Sequence, residues 1–298
     1  MQSESIQNPK HNIQNLPIGI FDSGVGGLTV YRALHDRLPN EHFVYLGDTA
    51  RVPYGTKSLA TVERYAIENS QFLASRGIKI LVVACNTASA LALPKIREKI
   101  GLDVVGVIGP GARKAVEITR DKTNPRIAVI ATEATVQSNA YAASIRQASE
   151  TAEIIQTACP LFVPLAEENW TRETETFSIA AKYLNKINEF APDALVLGCT
   201  HYPILREVIQ QTVGENVTLI DSGEATAEEV EKLLIDKNLA NVRPELFERE
   251  RRLCDDLDHF YVTDAADRFA RVAERFLGVP PAKLEAIEVF GADELKEK

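Results

Sequence analysis

The run PIGIFDSGVGG at residues 17–27 decides how the chain begins to fold. Its first five residues form an apolar run typical of a strand, and DSGVGG is typical of a tight turn that leads into a helix. Helical spacing continues from Leu28 to Leu38, and HFVYL at residues 42–46 predicts a second strand. The chain therefore begins with a predicted βαβ unit.

The same alternation of strands and helices continues along the chain. Further strands are predicted at residues 78–84, 104–108, 126–131, 194–197 and 217–220, and a short buried one at 160–164. Helices are predicted at residues 58–76, 88–100, 222–239 and 264–277. This order favours the α/β class, with largely parallel sheets covered by helices on both faces.

The length of the chain and two similar sequence runs predict two pseudo-symmetric α/β domains. A chain of 298 residues fits two domains of about 100 to 200 residues each. The runs ILVVACNT at 80–87 and ALVLGCT at 194–200 both place a cysteine directly after an apolar strand. Ligands bind at the carboxyl ends of parallel strands, so we expect an active site in the cleft between the domains. The predicted division is a flexible tail at 1–16, a first domain at 17–108 plus 219–280, a second domain at 109–218, and a C-terminal tail at 281–298.

Composition restricts the partners and the compartment. A formal net charge of −9 argues against nucleic acid, because nucleic-acid binding needs clustered lysine and arginine. A small anionic substrate remains compatible, since local backbone and hydroxyl donors can hold it. The polar N-terminus and the absence of about 20 consecutive apolar residues predict a cytoplasmic protein without a membrane span. The sequence leaves open whether the chain forms a homodimer.

Cys85 and Cys199 are the strongest candidates for chemistry. Each is predicted at the end of a strand and the start of a helix, where backbone N–H groups stabilise a thiolate. A single buried cysteine is often only a small apolar residue, but two in matching positions favour function. Cys159 and Cys254 have no such setting, and without a CxxC pair we expect reduced thiols.

Other polar residues, some next to these cysteines and some after other predicted strands, are further candidates for the site. His201 lies two residues after Cys199, without the further ligands that a zinc site requires. The glycine-rich turn offers backbone donors and the Ser23 hydroxyl to a carboxylate, while Asp22 can accept from an ammonium group, although Asp22 could also merely cap the helix. Neutral donors that outline an anion cradle, or act as ordinary helix caps, are Asn86, Thr87, Thr132, Thr135 and Thr200.

Five ordered motifs resemble the glutamate racemases of the aspartate/glutamate racemase superfamily. The resemblance covers about residues 17 to 278. The motifs are FDSGVGGLT at 21–29, GDTARVPYG at 47–55, ACNTASA at 84–90, CPLFVPL at 159–165 and GCTHYP at 198–203.

The resemblance implies two α/β domains with glutamate buried between them, no cofactor and no metal, and D-glutamate made for peptidoglycan. It places catalysis on Cys85, Cys199, Asp22 and His201, with Glu167 supporting His201. The substrate contacts that it implies are Asp22, Ser23, Tyr54, Gly55, Asn86, Thr87, Thr132, Thr135, Thr200 and His201. It also suggests that Cys85 takes the proton from D-glutamate and Cys199 from L-glutamate.

The chemistry of racemisation explains the need for two thiols. Inverting Cα without a cofactor means removing a very weakly acidic proton and returning one to the opposite face, which one base cannot readily do. Three alternatives stay open at this stage. They are a racemase or decarboxylase for aspartate or another acid, a thiol-redox or zinc-binding protein, and a catalytically silent binding protein.

Overall fold

In the described part of the chain, ten strands in two separate sheets form the framework of the protein. The computed structural model describes residues 13–243 and 251–289. The strands are β1 (Ile18–Asp22), β2 (Phe43–Gly47), β3 (Ile80–Val83), β4 (Asp103–Gly106), β5 (Arg126–Ala131), β6 (Glu153–Ala158), β7 (Ala194–Gly198), β8 (Thr218–Asp221), β9 (His259–Val262) and β10 (Leu284–Ala286). The first sheet has the order β10-β9-β2-β1-β3-β4 and the second the order β6-β5-β7-β8. Neighbouring strands in both sheets are parallel.

Helices connect and cover the strands. They are α1 (Leu28–Arg37), α2 (Leu59–Ser75), α3 (Asn86–Leu91), α4 (Leu93–Lys99), α5 (Ile108–Ile118), α6 (Glu133–Gln137), α7 (Ala140–Ala148), α8 (Phe162–Glu167), α9 (Thr174–Phe190), α10 (Arg206–Val213), α11 (Ser222–Asp236) and α12 (Ala266–Leu277). Short 3₁₀ turns occupy Ile13–Asn15, Tyr54–Thr56 and Tyr202–Leu205. In the described ranges no helix is long and apolar enough to cross a membrane.

Burial explains why the central strands are continuous apolar runs. Every residue of β1, β2, β3 and β7 is buried, as expected for parallel strands with helices on both faces.

Side-chain hydrogen bonds cap the first turns of helices α2 and α11. The Ser58 side chain accepts a hydrogen bond from the Thr61 N–H at the start of α2, and Asp221 accepts one from Gly223 at the start of α11. The predicted α/β class with parallel sheets is confirmed.

Some predicted elements differ from the structure. Residues 160–164 are not a strand, because α8 begins at Phe162 and buries Phe162 and Leu165 at helical spacing. An apolar run this short does not reveal its period. The helix predicted over 88–100 is two helices, α3 and α4, that meet at Ala92. The strand predicted at 104–108 ends at Gly106, since α5 already begins at Ile108.

The last strands return the chain to the first sheet. Strand β9 pairs with β2, and β10 pairs with β9 in a region for which the sequence suggested a C-terminal tail. Strand β8 pairs with β7 and so lies in the second sheet. The domain boundaries drawn from the sequence stay a prediction, and most of the predicted N-terminal tail, residues 1–12, lies outside the described residues.

A buried ion pair between Lys79 and Glu41 contacts two other segments of the chain. The Lys79 side chain is 0% exposed and that of Glu41 is 4% exposed. Lys79 Nζ also donates to the carbonyl oxygens of Gln14 and Leu239, each at 2.8 Å. Glu41 Oε1 accepts from the Asn241 N–H at 2.8 Å. The pair therefore holds the 3₁₀ turn near the N-terminus and the segment after α11.

We expect Lys79→Met to lower the free energy of unfolding by about 3 to 5 kcal/mol, because it leaves the Glu41 charge buried and unpaired. Urea denaturation followed by circular dichroism measures the effect. Lys95→Met is the matched control, because Lys95 forms a solvent-exposed ion pair with Glu98 at 3.2 Å. This variant should lose less than about 1 kcal/mol of unfolding free energy. Equal losses in the two variants would contradict this role for Lys79.

Candidate active site

The polar residues singled out in the sequence lie where the carboxyl ends of the two sheets meet. Asp22 ends β1, and Cys199 directly follows β7 of the other sheet. Several side-chain contacts join the two edges. Thr200 Oγ1 lies 3.4 Å from Asp22 Oδ2, Thr29 Oγ1 donates to the Thr200 carbonyl at 2.8 Å, and the hydroxyls of Thr87 and Thr132 are 3.0 Å apart. The residues therefore form one cluster across the interface between the sheets.

Cys85 occupies the N-cap position of helix α3. Its Sγ accepts from the Ala88 N–H at 3.5 Å and lies 3.6 Å from Ser23 Oγ. Burial, together with the negative charges of Asp22 and Cys199, raises the pKa of the Cys85 thiol to about 12, and the hydrogen bonds with the Ala88 N–H and the Ser23 hydroxyl act in the opposite direction. Cys85 is therefore a protonated thiol at neutral pH in this arrangement.

Cys199 is the first member of a chain of polar contacts. Its Sγ lies 3.9 Å from His201 Nδ1, and His201 Nε2 lies 3.1 Å from Glu167 Oε1. Burial alone would lower the pKa of His201, but the contacts with Cys199 and Glu167 outweigh it and raise that pKa to about 10. His201 is thus an imidazolium at neutral pH, placed to stabilise negative charge on the Cys199 sulfur.

Glu167 faces His201 from helix α8. Burial would raise the pKa of its carboxyl, but His201 and Arg268 together hold that pKa below its ordinary value. The Glu167 carboxylate is therefore charged, and it supplies the negative partner that keeps His201 protonated. Glu167 therefore contacts His201, and its supporting role in catalysis stays a prediction.

Asp22 is fully buried beside the glycine-rich turn. Burial raises the pKa of its carboxyl, while His201 and the backbone N–H groups of the turn act in the opposite direction. One of those groups, the Gly24 N–H, donates to Asp22 Oδ1 at 3.0 Å. Asp22 does not cap α1, whose start has no side-chain cap, so the helix-cap alternative is wrong.

The turn itself packs against the Cys199 segment. A Cβ atom at Gly26 would lie 2.5 Å from His201 Cε1 and still closer to Thr200 Oγ1 and His201 Nδ1. Only glycine allows the backbone of the first sheet's turn to approach the imidazole this closely.

Three threonine hydroxyls meet in a triangle. Thr87 Oγ1 lies 3.0 Å from Thr132 Oγ1 and 3.2 Å from Thr135 Oγ1, and the last two are 3.1 Å apart. Gly55 lies against them, since a Cβ there would be 2.8 Å from the Thr132 Cβ. These hydroxyls hydrogen-bond to one another, and rotation about their C–O bonds would let them donate to a carboxylate instead.

Asn86 carries a buried donor that has no partner. Its Oδ1 accepts from the Tyr141 hydroxyl at 2.7 Å, which leaves Nδ2 as the free end of the amide. Nδ2 is buried and makes no hydrogen bond. Because buried donors are normally satisfied, Asn86 Nδ2 is a donor that is available to an acceptor group.

The Tyr54 side chain is held by a network of buried polar side chains. Its hydroxyl donates to Asp48 and accepts from Asn69 Nδ2 at 3.0 Å. Asp48 in turn accepts from Arg51 Nε at 2.8 Å and from the Thr263 hydroxyl at 3.0 Å. The side-chain hydroxyl of Tyr54 is therefore engaged in fixing the loop that carries Gly55.

The structure adds site residues that the sequence reasoning missed. Tyr141 orients Asn86, Thr29 anchors Thr200, and Arg268 and Phe276 of α12 contact the Glu167 and His201 side chains. Thr29 lies within a quoted motif, whereas Tyr141 and α12 carry no local signal of a site. In residues 13–243 and 251–289 no group of three or more His, Cys, Asp or Glu side chains could hold a metal ion.

Comparisons with known proteins agree in one family. The Asp/Glu/hydantoin racemase model matches residues 18–230. The chain is 50% identical over 261 residues to a glutamate racemase of Geobacter metallireducens, which covers 88% of this chain and 92% of the relative. It is 44% identical to a glutamate racemase of Chlorobaculum tepidum, over 95% of this chain and 99% of the relative.

Solved structures of similar proteins have the same fold. A glutamate racemase from Bacillus anthracis superposes with a TM-score of 0.84 at 34% identity, covering 93% of this chain and 98% of that one. One from Francisella tularensis, solved in complex with D-glutamate, gives 0.83 at 36% identity and the same coverage. The sequence model, the relatives and the fold together show that the chain belongs to the Asp/Glu/hydantoin racemase family.

Proposed function

We propose that this protein is a glutamate racemase that interconverts L-glutamate and D-glutamate by moving protons at Cα between Cys85 and Cys199. The observation that carries the proposal is the pair of buried thiols, which lie just after the parallel strands β3 and β7 of the two different sheets, in one cluster of donors. The relatives from Geobacter metallireducens and Chlorobaculum tepidum are named glutamate racemases, and the Francisella tularensis structure was solved in complex with D-glutamate.

The ionisation of the site supports two opposed bases. A negative charge on Cys199 raises the pKa of Cys85, so the two sulfurs resist ionising together. His201 lies beside the Cys199 sulfur and can stabilise negative charge there, so in the proposed reaction L-glutamate meets a thiolate at Cys199 and a thiol at Cys85. That state is ready to remove the proton from L-glutamate at Cys199 and to deliver one from Cys85, which leaves the reverse state ready for D-glutamate.

The surrounding residues supply the electrostatics for glutamate. Asp22 is a buried acceptor suited to the substrate ammonium group. Asn86 Nδ2 and the hydroxyls of Thr87, Thr132 and Thr135 are donors suited to carboxylates. Preorganised donors in a site closed to water stabilise the carbanion-like transition state more than bulk water does. We infer that the two carboxylates and the ammonium group of glutamate are divided among these groups.

Incubation of the purified protein with L-glutamate, without added cofactor, tests the function. Chiral chromatography should show D-glutamate rising toward an equal mixture. The same assay with L-aspartate addresses the nearest alternative, and racemisation of aspartate alone would overturn the substrate assignment. No turnover of either acid, with binding of glutamate by calorimetry, would favour a silent binding protein.

We expect Asn86→Asp to raise KM for glutamate by about tenfold to a hundredfold. The new carboxylate can still accept from Tyr141, but it replaces the free Nδ2 donor with a negative charge, and a hydrogen bond to a charged group is worth about 1.5 to 3 kcal/mol. Initial rates over a range of glutamate concentrations measure the change. A variant with an unaltered thermal midpoint and an unaltered KM would show that Asn86 does not bind substrate.

We also propose that the product supplies peptidoglycan synthesis. An Escherichia coli glutamate racemase, 30% identical with a TM-score of 0.72, has been solved with L-glutamate and the activator UDP-MurNAc-Ala. That complex links a relative to a muramyl nucleotide. Depletion of this protein in its host should be rescued by D-glutamate in the medium, and a host that grows normally after depletion would argue against the role.

A further inference from the structure

Helix α12 belongs to the first sheet's side of the molecule but contacts the acid–base residues around Cys199. It follows β9, and three of its side chains reach across the interface. Arg268 Nη2 lies 3.1 Å from Glu167 Oε2, and Arg275 Nη1 donates to the Glu167 carbonyl at 2.9 Å. The Phe276 ring meets the His201 ring edge to face, with centroids 6.0 Å apart.

The Glu167 carboxylate divides its two oxygens between two cations. Oε1 lies 3.1 Å from His201 Nε2, and Oε2 is bound by Arg268. Arg275 contacts only the backbone carbonyl of Glu167. In the described contacts, the Glu167 carboxylate is therefore held by His201 on one oxygen and by Arg268 on the other. Loss of that tether leaves the carboxylate free to rotate away from His201 toward solvent, because the Glu167 side chain is 19% exposed.

We propose that Arg268 is a positioning residue of the racemase site, which fixes the Glu167 carboxylate on His201 and so keeps His201 charged beside Cys199. The inference rests on the proposed function. It assigns Arg268 no contact with substrate, and it makes the Cys199 side of the site depend on a helix of the first sheet.

The direction in which the pKa of His201 changes when Arg268 is replaced distinguishes a positioning role from a direct effect of the arginine charge. The charged or titratable groups that influence His201 are Cys199, Glu167 and Asp22, with Arg268 behind Glu167. Removing the Arg268 cation by itself would raise the pKa of His201. Losing the Glu167 contact would lower it. Because Arg268 is 62% exposed and screened by solvent, while the Glu167 contact is largely buried, we expect the lowering to prevail.

Nitrogen-15 NMR of labelled histidine, with the His201 signal assigned from a His201→Asn sample, measures this pKa without using activity. In Arg268→Gln we expect the pKa of His201 to fall by about one pH unit, and kcat with L-glutamate to fall about tenfold. Arg268→Lys, which keeps the charge and one donor, should recover part of both. Arg271→Gln, an exposed arginine on the same helix, should change neither.

An Arg268→Gln variant with an unchanged or higher pKa of His201, or with a loss of rate that Arg271→Gln shares, would overturn the proposal. Failure of the wild-type protein to racemise glutamate would instead overturn the proposed function. The NMR titration would still report whether Arg268 positions Glu167.

Discussion

Cys85→Ser and Cys199→Ser should each reduce racemisation of glutamate by about a thousandfold or more. A serine hydroxyl is far less acidic than a thiol, so it can neither serve as the base nor return a proton at a useful rate, and positioned acid–base groups contribute about 10²- to 10⁴-fold. Both sulfurs are needed in both directions, since each turnover uses one as base and the other as acid. The measurement is the rate of D-glutamate formation from L-glutamate and the reverse.

Cys254→Ser is the control for these variants. Cys254 is also buried, but it lies beside Tyr31, whose hydroxyl accepts from the Cys254 N–H at 2.7 Å, and not at the carboxyl edges of the sheets. We expect it to retain activity. Full racemisation by either Cys85→Ser or Cys199→Ser, measured by chiral chromatography of the two enantiomers, would contradict the two-thiol mechanism.

The second large effect is expected from Gly26→Ala. Its methyl group would occupy space now filled by the His201 ring and the Thr200 hydroxyl, so the Cys199 segment must move away from the turn that carries Asp22 and Ser23. Displacement of a catalytic group by about 1 Å can cost about a hundredfold in rate. We therefore expect kcat/KM to fall about a hundredfold.

Gly101→Ala is the matched control, because a Cβ at Gly101 meets nothing within 4 Å. That variant should keep both its activity and its thermal midpoint. A fully active Gly26→Ala protein would mean that the close approach between the glycine turn and His201 has no role in catalysis.

The elements that the sequence predicted well carry local signals. The run before Asp22 and the run before Cys85 form strands because they are short, apolar and followed by turn or helix-start residues. Parallel strands place their carboxyl ends at one edge, so the positions of Asp22, Cys85 and Cys199 followed from those runs. Their roles in catalysis stay a prediction.

The features that the sequence did not predict depend on distant pairing. Strand β9 follows a charge-rich stretch and becomes a strand by pairing with the edge of β2 that β1 does not occupy. The contact of Tyr141 with Asn86 and that of Arg268 with Glu167 depend on how the two sheets are placed against each other. The hydrophobic pattern of a single segment carries no information about contacts between the two sheets.

The most direct test of the two-thiol account is racemisation of L-glutamate in deuterium oxide, stopped at low conversion. The account predicts that the D-glutamate formed carries deuterium at Cα, because its proton comes from the opposing thiol, which exchanges with solvent. The remaining L-glutamate should carry almost none. D-glutamate that retains protium, or L-glutamate labelled as fast as product appears, would show that one base serves both faces and would contradict the account.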